Sequence, residues 1–263
     1  MGLNLSKAPL ILAVVGKGGS GKSVIATLIA KTLIRNYHYN LLLIDGDPAY
    51  PHFSKMMNVT PTRNLETIKS QLLRSIQSGD KTSTQAAKFI DFEVYGALIE
   101  TKEFSLISIG QPEESGCFCP SNTIMKKVIE SISKDFDIVI IDCEAGLEQI
   151  NRMVLESVDI VIIISDETQR SIETAVSIKS TADKFTNYHK IGLIINRVKG
   201  NTEKLQHQIK HLGLELFALI PEDENIKEYD NYGKAIIDIP ENTSSYQTIK
   251  KALSSILEDL DSK

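Results

Sequence analysis

The chain has 263 residues, with 29 Lys and Arg against 34 Asp and Glu and a net charge of −5. No long basic run appears, which argues against a protein held on nucleic acid by a positive field. No apolar run reaches the ~18–20 residues of a membrane span, nothing at the start resembles a secretory signal, and the expected location is cytoplasmic, without stable membrane insertion.

Residues 10–15 form the first expected strand, an apolar run suited to a strand covered on both faces. Gly16-Lys17-Gly18-Gly19-Ser20-Gly21-Lys22-Ser23 follows and fits the phosphate-loop pattern G-x-x-x-x-G-K-[ST]. Its glycines let successive backbone N–H groups turn inward on phosphate oxygens. Lys22 is expected to reach the β- and γ-phosphates and Ser23 to hold Mg²⁺, with Val24 completing the cradle. A helix over 22–36 points its positive end at the same anion. Strand, glycine-rich turn and helix together are the context the motif requires. Lys17 is a second lysine that an ordinary phosphate loop does not need, and a solvated loop-tip lysine is the plain alternative.

A second strand near 40–45 ends in Asp45-Gly46-Asp47-Pro48. Carboxylates at this place face the γ-phosphate and its Mg²⁺, and Asp45 is expected on the metal; turn chemistry is the alternative. Leu65, Ile68, Leu72 and Ile76 have helical spacing and predict a helix over about 63–78. Residues 78–85 form a polar loop, and the stretch to about 103 is a short helix or an irregular excursion. A strand over 104–110 is followed by a helix over 121–134, opened by Ser121 or Asn122. Strands follow at 137–142 and 159–166, then a helix over 167–185, a strand near 190–196, a short helix at 202–211 and a last strand ending near 220. An amphipathic helix over 245–260 ends in acids, lacks a basic face and is expected to pack on the sheet. No repeat and no domain-scale linker interrupts this order. The expectation is one α/β P-loop NTPase domain over 1–263, a mainly parallel sheet with helices on both faces, and the nucleotide at the carboxyl ends of the strands.

Asp142 ends the strand 137–142 and has the place of a Walker B carboxylate, expected to bond Mg²⁺ through water. Gly146 just beyond it is a candidate to present its backbone N–H to the γ-phosphate. The base signature N-K-x-D of GTPases is absent, since Asn196 is followed by Arg197, Val198 and Lys199. The chain has three cysteines. Cys117 and Cys119, in Gly116-Cys117-Phe118-Cys119-Pro120, form a C-x-C pair flanked by turn residues. Thiolates select soft or borderline metals such as Zn²⁺, Ni²⁺ or Cu⁺. One pair supplies two ligands where a closed zinc site takes four, and a twofold dimer would supply the other two. Two ordinary reduced thiols fit the same spacing.

The motif K-G-G-x-G-K-[ST] resembles the deviant phosphate-loop ATPases, which include MinD- and ParA-type switches, nitrogenase iron protein and metal-insertion ATPases. That resemblance implies a homodimer with Lys17 reaching the partner's nucleotide and taking part in catalysis. It further implies that Asp47 positions or polarises the attacking water, that Asn196 reads adenine with Arg197 beside it, and that Pro221, Glu222 and Asp223 line the base pocket. GQPEESGCFCPSN with IIDCEAGLEQINR resembles the CooC-type ATPases that mature carbon monoxide dehydrogenase. The resemblance covers nearly the whole chain. It implies Mg²⁺-dependent ATP hydrolysis to ADP, Ni²⁺ or Zn²⁺ held between subunits by Cys117 and Cys119, and a nickel metalloenzyme as client. After Asp47-Pro48 the chain departs from that pattern with Ala49-Tyr50-Pro51-His52-Phe53, which puts the first switch and the client in doubt. A nitrogenase-like reductase needs cysteines spaced for a cluster, and Cys143 follows Asp142 too closely for that role. A MinD/ParA-type switch without metal cargo is the main alternative.

Overall fold

The computed structural model describes residues 8–48, 50–79, 92–111, 127–143 and 158–261. Among them, eight strands form a single sheet: β1 (Leu10–Gly16), β2 (Leu41–Asp45), β3 (Ile99–Glu100), β4 (Ser105–Ser108), β5 (Ile138–Asp142), β6 (Ile160–Ser165), β7 (Lys190–Val198) and β8 (Leu216–Pro221). Their order is β3-β4-β2-β5-β1-β6-β7-β8. Every neighbouring pair is parallel except β3–β4.

The apolar strands show no polar alternation because both faces are covered. Period-two geometry divides one continuous run between two cores. Leu10, Leu12 and Val14 of β1 face one core with Leu41, Leu43, Ile138 and Ile140. Ala13 and Val15 face the other with Val161, Ile163, Leu193 and Ile195. The first core is closed by α1 (Lys22–Asn36), α2 (His52–Met56) and the last helix, α7 (Ser244–Asp261). The opposite face carries α3 (Leu65–Gln77), a helical segment over 127–133, α4 (Gln169–Phe185) and α5 (Glu203–His211). Tyr246, Ile249, Leu253, Ile256 and Leu257 repeat at helical spacing and bury the apolar stripe of α7, so this helix packs against the sheet face as expected. Each such fully buried side chain contributes roughly 1.5–3 kcal/mol.

Local signals set the helix ends. Thr168 opens α4, its side chain accepting from the Ser171 N–H. The predicted Ser121 or Asn122 cap lies outside the described residues. Two elements were not foreseen. The stretch before residue 103 contains a helical turn at 92–95, within the short helix or excursion expected there, and also β3, a two-residue antiparallel edge strand. The Tyr50-Pro51-His52-Phe53 run starts α2, with Phe53 and Met57 buried in the core one turn apart. A further helix, α6 (Glu224–Asn231), directly follows β8.

Candidate nucleotide site

β1 delivers the phosphate loop to the middle of the sheet, between β5 and β6. The loop turns into α1 at Gly21, whose φ is 95°. A side chain at Gly21 is excluded twice: by that backbone angle and because a Cβ would stand 2.2 Å from Asn196 Nδ2. Lys22 is buried, and its ammonium lies 3.3 Å from the Lys17 carbonyl, arched over its own loop. Lys17 is half-buried at the loop's start, and the Ser20 hydroxyl is buried without a hydrogen-bond partner.

The carboxylates come from β2 and β5, where Asp45 and Asp142 are register partners on adjacent strands. Asp142 is 3% exposed. Burial pushes its carboxyl up to about 7, a hydrogen bond from the Ser23 hydroxyl opposes that, and the charge of Asp45 adds to it. Its Oδ1 is buried with no hydrogen-bond partner. A buried carboxylate oxygen in that condition is what a cation would satisfy. Ser23 and Asp142 therefore fit an Mg²⁺ ion, and the charge of Lys22 favours the ionised Asp142.

Asp45 has protein partners of its own. It is fully buried and does not line the cavity of the site. Its Oδ2 accepts from both the N–H (2.8 Å) and the hydroxyl (2.6 Å) of Ser54, and its Oδ1 from the Asp47 N–H at 3.3 Å. Those bonds anchor α2 to β2, so this carboxylate holds the first switch strand and α2 together. Gly46 separates the two aspartates because a Cβ there would meet the Asp142 carbonyl at 2.5 Å. Asp47 lines the cavity, with its Oδ1 accepting the Tyr50 N–H at 3.0 Å.

β7 and β8 close the other side. Asn196 is buried; its amide donates to the Ser20 carbonyl at 2.9 Å and its Oδ1 accepts the Arg197 N–H at 3.0 Å. Arg197 donates to the Gly19 carbonyl at 2.7 Å. Both residues line the cavity, and the Asn196 amide and the Arg197 guanidinium each bond the phosphate loop. Glu222 pairs with Lys199 at 3.2 Å and Lys227 at 3.0 Å. Asp223 caps two helices, its Oδ1 accepting from the Asn225 N–H and its Oδ2 from the Ser245 N–H and the Ser244 hydroxyl. Burial would raise its carboxyl, but those donors hold it below the usual range.

These walls enclose a cavity of about 520 Å³, and it gathers most of the expected residues: Gly18, Gly19, Gly21, Lys22, Ser23, Val24, Asp47, Asp142, Asn196, Arg197, Pro221, Glu222 and Asp223. Gly16, Lys17 and Ser20 belong to the loop without lining the cavity. Cys143, half-buried, also lines it; burial pushes its thiol up to about 12, so it stays protonated. His52 and Met56 of α2 and Ile226, Lys227 and Asp230 of α6 were not anticipated. The signal for α2 was the unusual Tyr50–Phe53 run; α6 left only the polar Pro221-Glu222-Asp223 turn. Gly146, Cys117 and Cys119 lie outside the described residues. Among the described residues, no three His, Cys, Asp or Glu side chains form a group suited to a metal ion, and no helix is long and apolar enough to cross a membrane.

A phosphate loop between a central parallel strand and a helix, facing a buried Asp at the end of a neighbouring strand, defines a P-loop nucleotide-binding protein. The chain belongs to the CobQ/CobB/MinD/ParA nucleotide-binding domain family, whose family model matches residues 11–236. It is 31% identical over 251 residues to an uncharacterized ATP-binding protein of Methanocaldococcus jannaschii, covering 94% of this chain and 98% of that one. It is 25% identical over 251 residues to the carbon monoxide dehydrogenase accessory protein CooC of Rhodospirillum rubrum, covering 87% and 89%. The fold matches the cell division ATPase MinD of Pyrococcus furiosus with a TM-score of 0.69 at 19% identity, covering 95% and 99%. The MinD of Pyrococcus horikoshii, solved with Mg-ADP, gives 0.69 at 20% identity, covering 97% and 98%.

Proposed function

We propose that this chain, as one domain over 1–263, binds ATP with Mg²⁺ on Gly16–Val24 and hydrolyses it to ADP as a nucleotide-driven switch. The observation that carries this reading is the buried, unpartnered Asp142 Oδ1 beside the Ser23 hydroxyl. Ser23 and Asp142 would hold Mg²⁺, which supplies charge neutralisation at the phosphates when bound. Phosphoryl transfer is governed by positioning and electrostatics. The loop amides and Lys22 would orient the triphosphate, and Asp47 would position the water whose oxygen bonds to the γ-phosphorus as the bond to the β–γ bridging oxygen breaks. The MinD of P. horikoshii, complexed with Mg-ADP, supports the same cofactor pair here.

We further propose that the switch carries a metal ion. Cys117 and Cys119 of two subunits would hold one Ni²⁺ or Zn²⁺ between them, with ATP turnover driving delivery to a carbon monoxide dehydrogenase-like client in the cytoplasm. The CooC relative, aligned over 87% of this chain, supports this reading. MinD relatives such as that of Bacillus subtilis, 24% identical over 173 residues, favour instead a switch without cargo. Metal titration followed by mass measurement separates the two. The metal reading expects one ion per two chains, lost in Cys117→Ser/Cys119→Ser. Undiminished binding in that variant, together with ATP-dependent sedimentation on lipid vesicles, would favour the positioning switch.

A further inference from the structure

Arg197 has a φ of 59°, one of two non-glycine residues with positive φ among the described residues. Glycine occupies that region without strain and arginine does not, so an arginine held there points to a task for its side chain. The pairing of β7 with β8 shifts register between Ile195 and Val198, which takes Arg197 out of the regular ladder. Its guanidinium then reaches back to the phosphate loop, donating to the Gly19 carbonyl at 2.7 Å. The same nitrogen lies 4.0 Å from Asp166 Oδ2. The other Asp166 oxygen accepts the Thr168 N–H at 2.9 Å, and the Asp166 N–H donates to the Ser171 hydroxyl at 3.2 Å. Asp166 is thereby fastened to the first turn of α4.

We infer that Arg197 is a positioning residue for the tip of the phosphate loop and that Asp166 orients it. The inference rests on the reading that the nucleotide binds this loop. A trans peptide points its N–H away from its carbonyl. Arg197 on the Gly19 carbonyl and Asn196 on the Ser20 carbonyl therefore fix the direction of the next two N–H groups: that of Ser20 closes the loop turn by donating to the Lys17 carbonyl at 3.2 Å, and that of Gly21 follows it at the start of α1. A preset loop binds phosphate better than one that must be ordered on binding. Burial would raise the Asp166 carboxyl, yet bonds from Thr168 and the charges of Lys17 and Arg197 hold it below the usual range, in keeping with an ionised partner for the guanidinium.

The test measures thermal midpoint and Mg-ADP affinity together in wild type, Arg197→Gly, Arg197→Lys, Asp166→Asn and Lys22→Ala. Arg197→Gly relieves the backbone and removes the latch. Its midpoint should equal or exceed that of wild type while affinity falls about tenfold, the order expected for one charge-assisted hydrogen bond. Arg197→Lys keeps a donor and should recover part of the affinity. Asp166→Asn keeps the acceptor for Thr168, loses the charge and should weaken binding by a smaller factor. An Arg197→Gly variant that binds as tightly as wild type overturns the inference. So does one whose midpoint and affinity fall together with no recovery in Arg197→Lys, because that pattern marks a merely structural residue. Lys22→Ala is expected to lose binding; if it binds like wild type, the loop reading fails first.

Discussion

The Ser23 hydroxyl donates a hydrogen bond to the Asp142 carboxylate and so joins the first turn of α1 to the end of β5. This contact brings the phosphate-loop hydroxyl and the strand-end carboxylate together, and it leaves Asp142 Oδ1 buried without a partner. Burial pushes Asp142 from 3.8 up to about 7, so the folded protein holds a proton there that the unfolded chain has released. Stability of the ligand-free protein should therefore fall as pH rises from about 4 to about 7. Asp45, raised by its own burial, adds to the same slope. A bound cation requires the ionised form, so Mg-ADP affinity should rise with pH toward 7. Midpoints recorded against pH with and without Mg-ADP check both signs. Asp142→Asn should flatten most of the ligand-free slope and abolish the Mg²⁺ response.

The Asp45 carboxylate and the Ser54 N–H and hydroxyl tie α2 to the sheet. Ser54→Ala removes the hydroxyl partner of a fully buried carboxylate, which should cost about 1–3 kcal/mol. Because Asp45 does not line the cavity, the Mg²⁺ requirement for nucleotide binding should be unchanged. Chemical denaturation gives the first quantity and calorimetry the second. A shifted Mg²⁺ requirement would return Asp45 to the metal.

Lys17 is not among the residues lining the cavity of its own chain. If it serves a partner's nucleotide, ATP should drive chelator-treated protein from monomer toward dimer, since binding realised only in the dimer appears as linked association. Lys17→Ala should lose that response and keep ADP binding. Sedimentation of both forms at micromolar concentration checks this, and an unchanged wild-type mass with ATP contradicts it.

The phosphate loop, Asp142 and the parallel strands were legible in the sequence because each is set by a contiguous run: glycine spacing, or apolar residues ending in a carboxylate. What escaped depends on partners far along the chain. Asp45 is bonded by Ser54, nine residues on, and Asn196 spends an amide hydrogen on Ser20, 176 residues away. α2 has five residues, too few for a helical period to show. Asp223 lines the cavity as expected of a pocket residue, and Ser244 and Ser245 arriving from the start of α7 to use it as a cap could not be foreseen. The thiol pair remains a sequence feature alone.

Phosphate release from Mg-ATP, measured alongside nucleotide affinity in wild type, Asp47→Ala and Lys22→Ala, decides whether this loop and its carboxylates form an ATP-hydrolysing centre. The expected result is slow, Mg²⁺-dependent release by wild type, retained ATP binding with release reduced at least about 100-fold in Asp47→Ala, and lost binding in Lys22→Ala. Equal turnover in Asp47→Ala and wild type, or ATP binding undiminished in Lys22→Ala, would contradict the account.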